Sequence, residues 1–153
     1  MLLKPNRSQI ECRLTGQYGV TSSDRQGLVE YCVHRTGDLK SRLDELHQHL
    51  SDEEKERAAK FRLEIYQNTY IASHGLLREI LAEKLGTAPG EIEIQEGKYK
   101  KPNISGNQWY FNISHTRDHF ALAFSPEQPV GIDIEQPDRK VDPGPVMKTV
   151  FSD

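Results

Sequence analysis

The chain has 153 residues, 35% of them hydrophobic and 28% charged, with a formal net charge of −3. That length fits one domain, and the slight acidity excludes a nucleic-acid footprint spread over the whole surface. No apolar run approaches the length of a membrane helix, and Cys12 and Cys32, without a C-x-x-C spacing, suit a reduced cytosolic protein better than a disulfide scaffold.

Residues 1–26 are polar and hold Gly16, Gly19 and Thr21-Ser22-Ser23-Asp24, which reads as a flexible extension with little core content. Met1 to Arg7 lacks the apolar core of a signal peptide. Residues 28–34 alternate, with Val29, Tyr31 and Val33 on one face, and predict a first strand. Leu39, Leu43, Leu46 and Leu50 are spaced for a helix, on which His47 and His49 point apart and read as solvated. Ser51-Asp52-Glu53-Glu54 is a capping box. It opens a predicted helical region running to about Leu85, with Ala58, Phe61, Ile65, Ala72, Leu76, Leu77, Ile80, Leu81 and Leu85 on its buried side. Gly75 inside that pattern marks a close approach or a bend, and Gly86 with Pro89 beyond it marks the stop. Arg57, Lys60, Arg62 and Arg78 taken singly read as a solvated basic face.

Glu91 to Gln95 alternates and predicts a strand, followed by a basic loop with Lys98, Lys100 and Lys101. Trp109 to Ser114 and His119 to Ser125 predict two further strands, the latter carrying Phe120, Leu122 and Phe124. In Val130-Gly131-Ile132-Asp133-Ile134-Glu135 apolar residues alternate with a glycine and two carboxylates, the pattern of a strand with one buried face. The stretch from 109 to 135 is thus expected to form a three-stranded antiparallel meander. Residues 137–153 are a Pro-rich loop and the start of another element.

The alternation places Asp133 and Glu135 on one side, with Cα atoms roughly 7 Å apart. Two such carboxylates can converge on a hard cation, and Mg²⁺ suits a site that leaves room for water and phosphate oxygens. On this hexapeptide alone the plainer reading, a half-buried strand with a charged solvent face, outweighs the metal reading. The setting adds weight to the metal. The Lys98–Lys101 loop and Ser114-His115 bring cations and a hydroxyl near the carboxylates, a set suited to a polyphosphate ligand. No P-loop or G-x-G-x-x-G is present, so this is not a standard nucleotide cradle.

Five segments in order resemble the larger, surfactin-synthetase-activating type of 4′-phosphopantetheinyl transferase. Leu50-Ser51-Asp52-Glu53-Glu54 with Arg57, Ala58 and Phe61 is similar to the family's first helix, and Leu76-Leu77-Arg78 with Leu81 to its L-L-R-x-x-L segment. Lys101-Pro102 and Phe111-Asn112-Ile113-Ser114-His115 match the end of G-K-P and the whole of F-N-x-S-H, and residues 130–135 match V-G-I-D-I-E. The resemblance spans about residues 28–135.

It implies an α+β fold: a half-domain, residues 27–136, in which a long helix packs on a small antiparallel sheet, one of two similar halves with coenzyme A bound between them. It implies transfer of phosphopantetheine from coenzyme A to a serine of an acyl, peptidyl or aryl carrier protein. Asp133 and Glu135 match the Mg²⁺ ligands and catalytic carboxylates. Lys101, Ser114 and His115 match positions that hold coenzyme A phosphates, and Arg57 and Arg78 border that pocket. No nucleic-acid or membrane partner is expected. Lys100 departs from the family glycine, and Thr69 stands where many members carry an arginine. The W-x-x-K-E-x-x-x-K motif of the family's second half is absent from the 153 residues. The chain therefore reads as an amino-terminal half, with a non-catalytic binding module and an inactive remnant as alternatives. An uncovered face that self-associates is expected at the apolar side chains of 119–125 and at the helix end near Leu85.

Overall fold

The computed structural model describes residues 17–23, 27–97, 101–106 and 109–136. The chain enters through β1 (Gln17–Ser23) and β2 (Gly27–Arg35). A 3₁₀ segment (Thr36–Arg42) leads into α1 (Leu43–His49), α2 (Asp52–Ala59) and α3 (Glu64–Leu85). After a short 3₁₀ turn (Pro89–Glu91) come β3 (Ile94–Glu96), β4 (Pro102–Ile104), β5 (Tyr110–His115) and β6 (His119–Ser125). Strands β1-β2-β6-β5 form one sheet, antiparallel at every pairing, and β3 and β4 form a two-stranded ribbon. The result is the expected α+β fold, with the 22-residue α3 as its spine.

Directly paired residues share a sheet face. Phe111 lies opposite Phe124, Ile113 opposite Leu122, and Cys32 opposite Leu122 from the other side. That face packs with Leu76, Leu77 and Leu81 of α3 into the core. The predicted strand at 28–34 is present as β2, and its polar side is the more deeply buried one. Glu30, Cys32 and His34 are buried, while Val29, Tyr31 and Val33 are half-buried. Glu30 is tolerated there because Lys84 of α3 meets its carboxylate while lying 4.4 Å from the Trp109 ring, and His34 stacks on Phe120 at 5.5 Å between centroids. Phe120, Leu122 and Phe124 are fully buried, and Leu85 packs against the core. The exposure expected at those side chains is not found; among the described residues Leu63, Tyr66 and Phe61 are exposed, the last of them expected on the buried side of its helix.

Three other expectations need correction. The polar extension is not loose throughout, because Gln17–Ser23 pairs along its whole length with β2. The helical region from Ser51 is two helices, with an extended Leu63 ahead of α3. Had it been one straight helix, Glu54 and Arg78 would lie about 36 Å apart, at 1.5 Å per residue over 24 positions. Folding back brings the Arg78 Nε–H to the Glu54 carboxylate at 2.6 Å, and Gln67 caps the Ala58 carbonyl of α2 at 3.0 Å. No glycine or proline marks this break, which tertiary contacts set. Finally, the expected meander has two strands, since residues 130–136 form no backbone ladder.

The helix ends themselves follow the sequence. Ser51 accepts the Glu54 N–H and Glu54 accepts the Ser51 N–H, closing the capping box. Gly86 takes a left-handed conformation at φ 67°, where a Cβ is strained, and the Thr87 N–H returns to the Ala82 carbonyl. Gly75 is a point of close approach: a Cβ there would stand 2.5 Å from the Leu46 carbonyl oxygen of α1. Backbone cannot yield as a side chain can, so Gly75→Ala is expected to destabilise the fold by about 1–3 kcal/mol. A denaturant midpoint equal to wild type would contradict this packing of α1 on α3.

Candidate functional site

The site is built on β5 and the segment after β6. Phe111 and Ile113 turn to the core, so Asn112 and Ser114 stand on the opposite sheet face, beside the small Ala123 and Ala121. Residues 130–136 run past this face. The alternation read from the sequence holds: Val130 is buried, Ile132 and Ile134 are half-buried, and Gly131, Asp133 and Glu135 are exposed.

Side chains, not a ladder, hold this segment. Lys101 Nζ donates to the Val130 carbonyl at 2.7 Å. Asn112 Oδ1 accepts the Ile132 N–H at 2.9 Å, and Ser114 Oγ accepts the Ile134 N–H at 3.2 Å. Ser114 in turn donates to Asp133 Oδ1 at 3.1 Å. Gln136 Nε2 donates to Asp118 Oδ1 at 3.2 Å, tying the far end to the β5–β6 turn. The structure thus brings Lys101, Ser114 and Asp133 together in one chain of contacts, with Glu135 two residues on and His115 at the end of β5.

Among the described residues neither Asp133 nor Glu135 joins an ion pair. Ser114 occupies one oxygen of Asp133 and neutralises no charge. Two exposed carboxylates on one side of an extended segment, without a cationic partner, are a donor set that fits a hard divalent cation.

Arg57 is exposed and lines a cleft of about 210 Å³ with Glu54, Tyr70, His74, Glu96, Phe111 and Ile113. Arg78 is not in that lining. It is 3% exposed and bonds to the Glu54 carboxylate and to the carbonyls of Pro89 and Ile92, at 3.1 and 2.9 Å. Its guanidinium joins α2, α3 and the turn before β3. Of the other departures from the family pattern, Thr69 is buried, 2.7 Å from the Thr36 hydroxyl, and donates to the Arg117 carbonyl at 2.9 Å. Lys98 and Lys100 lie outside the described residues. Glu45, His49 and Glu79 also gather, but Arg42 pairs with both carboxylates at 3.0 and 2.7 Å, which makes this an ion-pair cluster.

Sequence reasoning missed Asn112 as a site residue, although it stands in the F-N-x-S-H run. It also missed His74, one helical turn after Tyr70 and stacked on its ring at 3.9 Å between centroids. Burial pushes the His74 imidazole down to about 4; the Glu54 charge opposes that shift, and the charges of His115 and Arg57 add to it. The folded chain keeps His74 neutral where the unfolded chain protonates it. The contribution of His74 to stability is therefore expected to be flat above pH about 6.5 and to fall as pH drops from there toward 4. Thermal melts of wild type and His74→Gln across that window test this; parallel pH profiles would contradict it.

Fold and site together define an α+β domain that presents, among the described residues, a carboxylate pair without an ion-pair partner beside a hydroxyl-bearing strand. The family model described as "4′-phosphopantetheinyl transferase, N-terminal" matches residues 38–127, and the chain belongs to that family. The matched residues stop short of Asp133. A phosphopantetheinyl transferase of Thraustochytrium sp. is 38% identical over 94 residues, covering 58% of this chain and 33% of the relative. The 4′-phosphopantetheinyl transferase HetI of Nostoc sp. is 32% identical over 100 residues, 62% of this chain and 42% of the relative. The chain thus spans well under half the length of the curated relatives it matches. A holo-(acyl-carrier-protein) synthase from Bacillus anthracis, solved with coenzyme A, is similar at TM-score 0.48 and 16% identity, over 63% of this chain and 91% of that one. No helix among the described residues is long and apolar enough to cross a membrane.

Proposed function

We propose that this chain is the metal-carrying amino-terminal part of a cytoplasmic 4′-phosphopantetheinyl transferase, which moves phosphopantetheine from coenzyme A to a carrier-protein serine. The observation that carries the reading is the Ser114–Asp133 contact, which joins the F-N-x-S-H strand to the carboxylate pair in a chain of this family. In the reaction the serine oxygen bonds to the β-phosphorus of coenzyme A. The phosphoanhydride bond to the departing adenosine 3′,5′-bisphosphate breaks, and the serine proton is lost.

Asp133 and Glu135 would hold Mg²⁺, which when bound neutralises charge on the pyrophosphate. Ser114 orients one Asp133 oxygen. Lys101 and His115 offer positive or hydrogen-bonding groups to phosphate oxygens, and Arg57 does so from the cleft beside β5. Arg78 has a positioning role, because its donors already serve Glu54 and two carbonyls. An apo carrier protein incubated with the protein, coenzyme A and Mg²⁺ is expected to gain the mass of phosphopantetheine; no gain contradicts the transferase reading.

A second reading, a half-domain that binds coenzyme A or carrier protein without catalysis, is favoured by the share of the relatives' length that the chain spans. Coenzyme A binding by calorimetry, without mass gain in the carrier, would select it. Under the first reading, Lys101→Ala and His115→Ala are each expected to raise the coenzyme A KM about tenfold, with a smaller change in kcat. A charge-assisted hydrogen bond to a phosphate remote from the reacting atoms acts mainly on ground-state binding. Unchanged KM in both variants would move the pocket elsewhere.

A further inference from the structure

In a β-ladder the amides of Ile132 and Ile134 would donate to main-chain carbonyls of the neighbouring strand. Here residues 130–136 form no ladder, and both amides donate to side-chain oxygens of β5. The match is one of period. The two donors are two residues apart, and so are Asn112 and Ser114, which stand on the same face because side chains alternate along a strand. Asp133 lies between the two clamped residues in sequence, and its carboxylate is itself bonded by Ser114.

Ala121 and Ala123, paired with Ser114 and Asn112, offer no bulk beside them on this face. An aliphatic residue at 112 would leave the half-buried Ile132 amide without its acceptor and would free the chain just ahead of Asp133.

We infer that Asn112 is a positioning residue for the acidic pair: with Ser114 it forms a two-rung side-chain rack that fixes the backbone of 132–134, and so sets the direction of the Asp133 carboxylate toward a divalent cation. This rests on the reading of Asp133 and Glu135 as metal ligands. Asn112 touches neither metal nor substrate in this role. Its effect passes through the Ile132 amide.

The test uses the 153-residue chain and two readouts, hydrogen exchange of single amides and Mn²⁺ binding followed by electron paramagnetic resonance. Asn112→Ala is expected to speed exchange of the Ile132 amide at least tenfold, to leave the Leu122 amide unchanged, and to weaken Mn²⁺ binding about tenfold, as outer groups around metal ligands typically do. Asn112→Asp keeps an acceptor oxygen and is expected to restore protection at Ile132. Where Asn112→Ala fails to fold, Ser114→Ala read at the Ile134 amide carries the same expectation.

Unchanged exchange at Ile132 overturns the rack, and so does equal acceleration at Leu122, which would make Asn112 a general fold residue. An Mn²⁺ Kd that responds to Asp133→Asn but not to Asn112→Ala overturns this inference alone. Equal Mn²⁺ affinity in wild type and Asp133→Asn overturns the underlying metal reading.

Discussion

Asp133→Asn is expected to reduce phosphopantetheine transfer on the order of 10³-fold, the scale seen when a principal electrostatic group is removed from a reaction centre. The substitution is chosen for what it keeps. The Asn carbonyl oxygen can still accept the Ser114 hydroxyl now bonded to Asp133 at 3.1 Å, so the rack and the segment it holds stay in place. What is lost is one of the two negative charges of the pair. Asp133→Ala would remove charge and contact together and leave the cause ambiguous. Transfer is measured by mass gain of an apo carrier protein, with a raised Mg²⁺ concentration as a second arm. Partial recovery at high Mg²⁺ is the expected signature of a weakened metal site. Near-wild-type turnover in Asp133→Asn would remove Asp133 from the chemistry.

The largest effect on stability is expected from Arg78→Met. Methionine keeps much of the buried volume and deletes the guanidinium. Glu54, whose side chain is 15% exposed, loses the 2.6 Å charged partner, and the carbonyls of Pro89 and Ile92 lose their donor. Breaking a buried pair from one side costs about 3–5 kcal/mol, because the remaining charge is stranded. Glu54 still accepts the Ser51 N–H at 2.9 Å, so the cap of α2 survives in part. Adding Glu54→Leu to Arg78→Met is expected to recover some of the loss, since it removes the stranded charge. A single variant within 1 kcal/mol of wild type by denaturant titration would show that Arg78 does not join the three elements as described.

Local chemistry made much of the fold legible. The capping box at Ser51 and the left-handed stop at Gly86 were readable because each is settled within four residues. The strands at 110–115 and 119–125 were readable from their apolar alternation, and so was the side on which Asp133 and Glu135 lie. What was not legible depends on partners far along the chain. The break before α3 goes with the reach of Arg78 to Glu54, and the burial of Glu30 on β2 with the reach of Lys84 to it. Arg78 read as one more basic residue on a helix because sequence does not show that three acceptors surround it. The segment at 130–136 has the period of a strand, but period fixes only which side chains share a face. Whether the amides find a backbone or a side chain is decided by Asn112 and Ser114. Asn112 was visible within a motif, yet nothing in a one-dimensional reading said that its oxygen faces Ile132.

The sheet's central pairing also constrains how the molecule comes into being. Cys32 lies opposite Leu122 at the middle of the β2–β6 interface, so three α-helices, the β3–β4 ribbon and β5 separate the two strands that must meet. A connection of this length makes the contact order high, and its closure entropy must be met before the pairing contributes stability. The helices are made of near neighbours and form on their own short timescale; the sheet waits for its last strand. During synthesis β2 therefore leaves the ribosome with its inner edge unpaired, and keeps that edge open until β6 has emerged some ninety residues later. For that interval an exposed strand edge is the part of the nascent chain most open to mispairing, and a holding chaperone would have its greatest effect there.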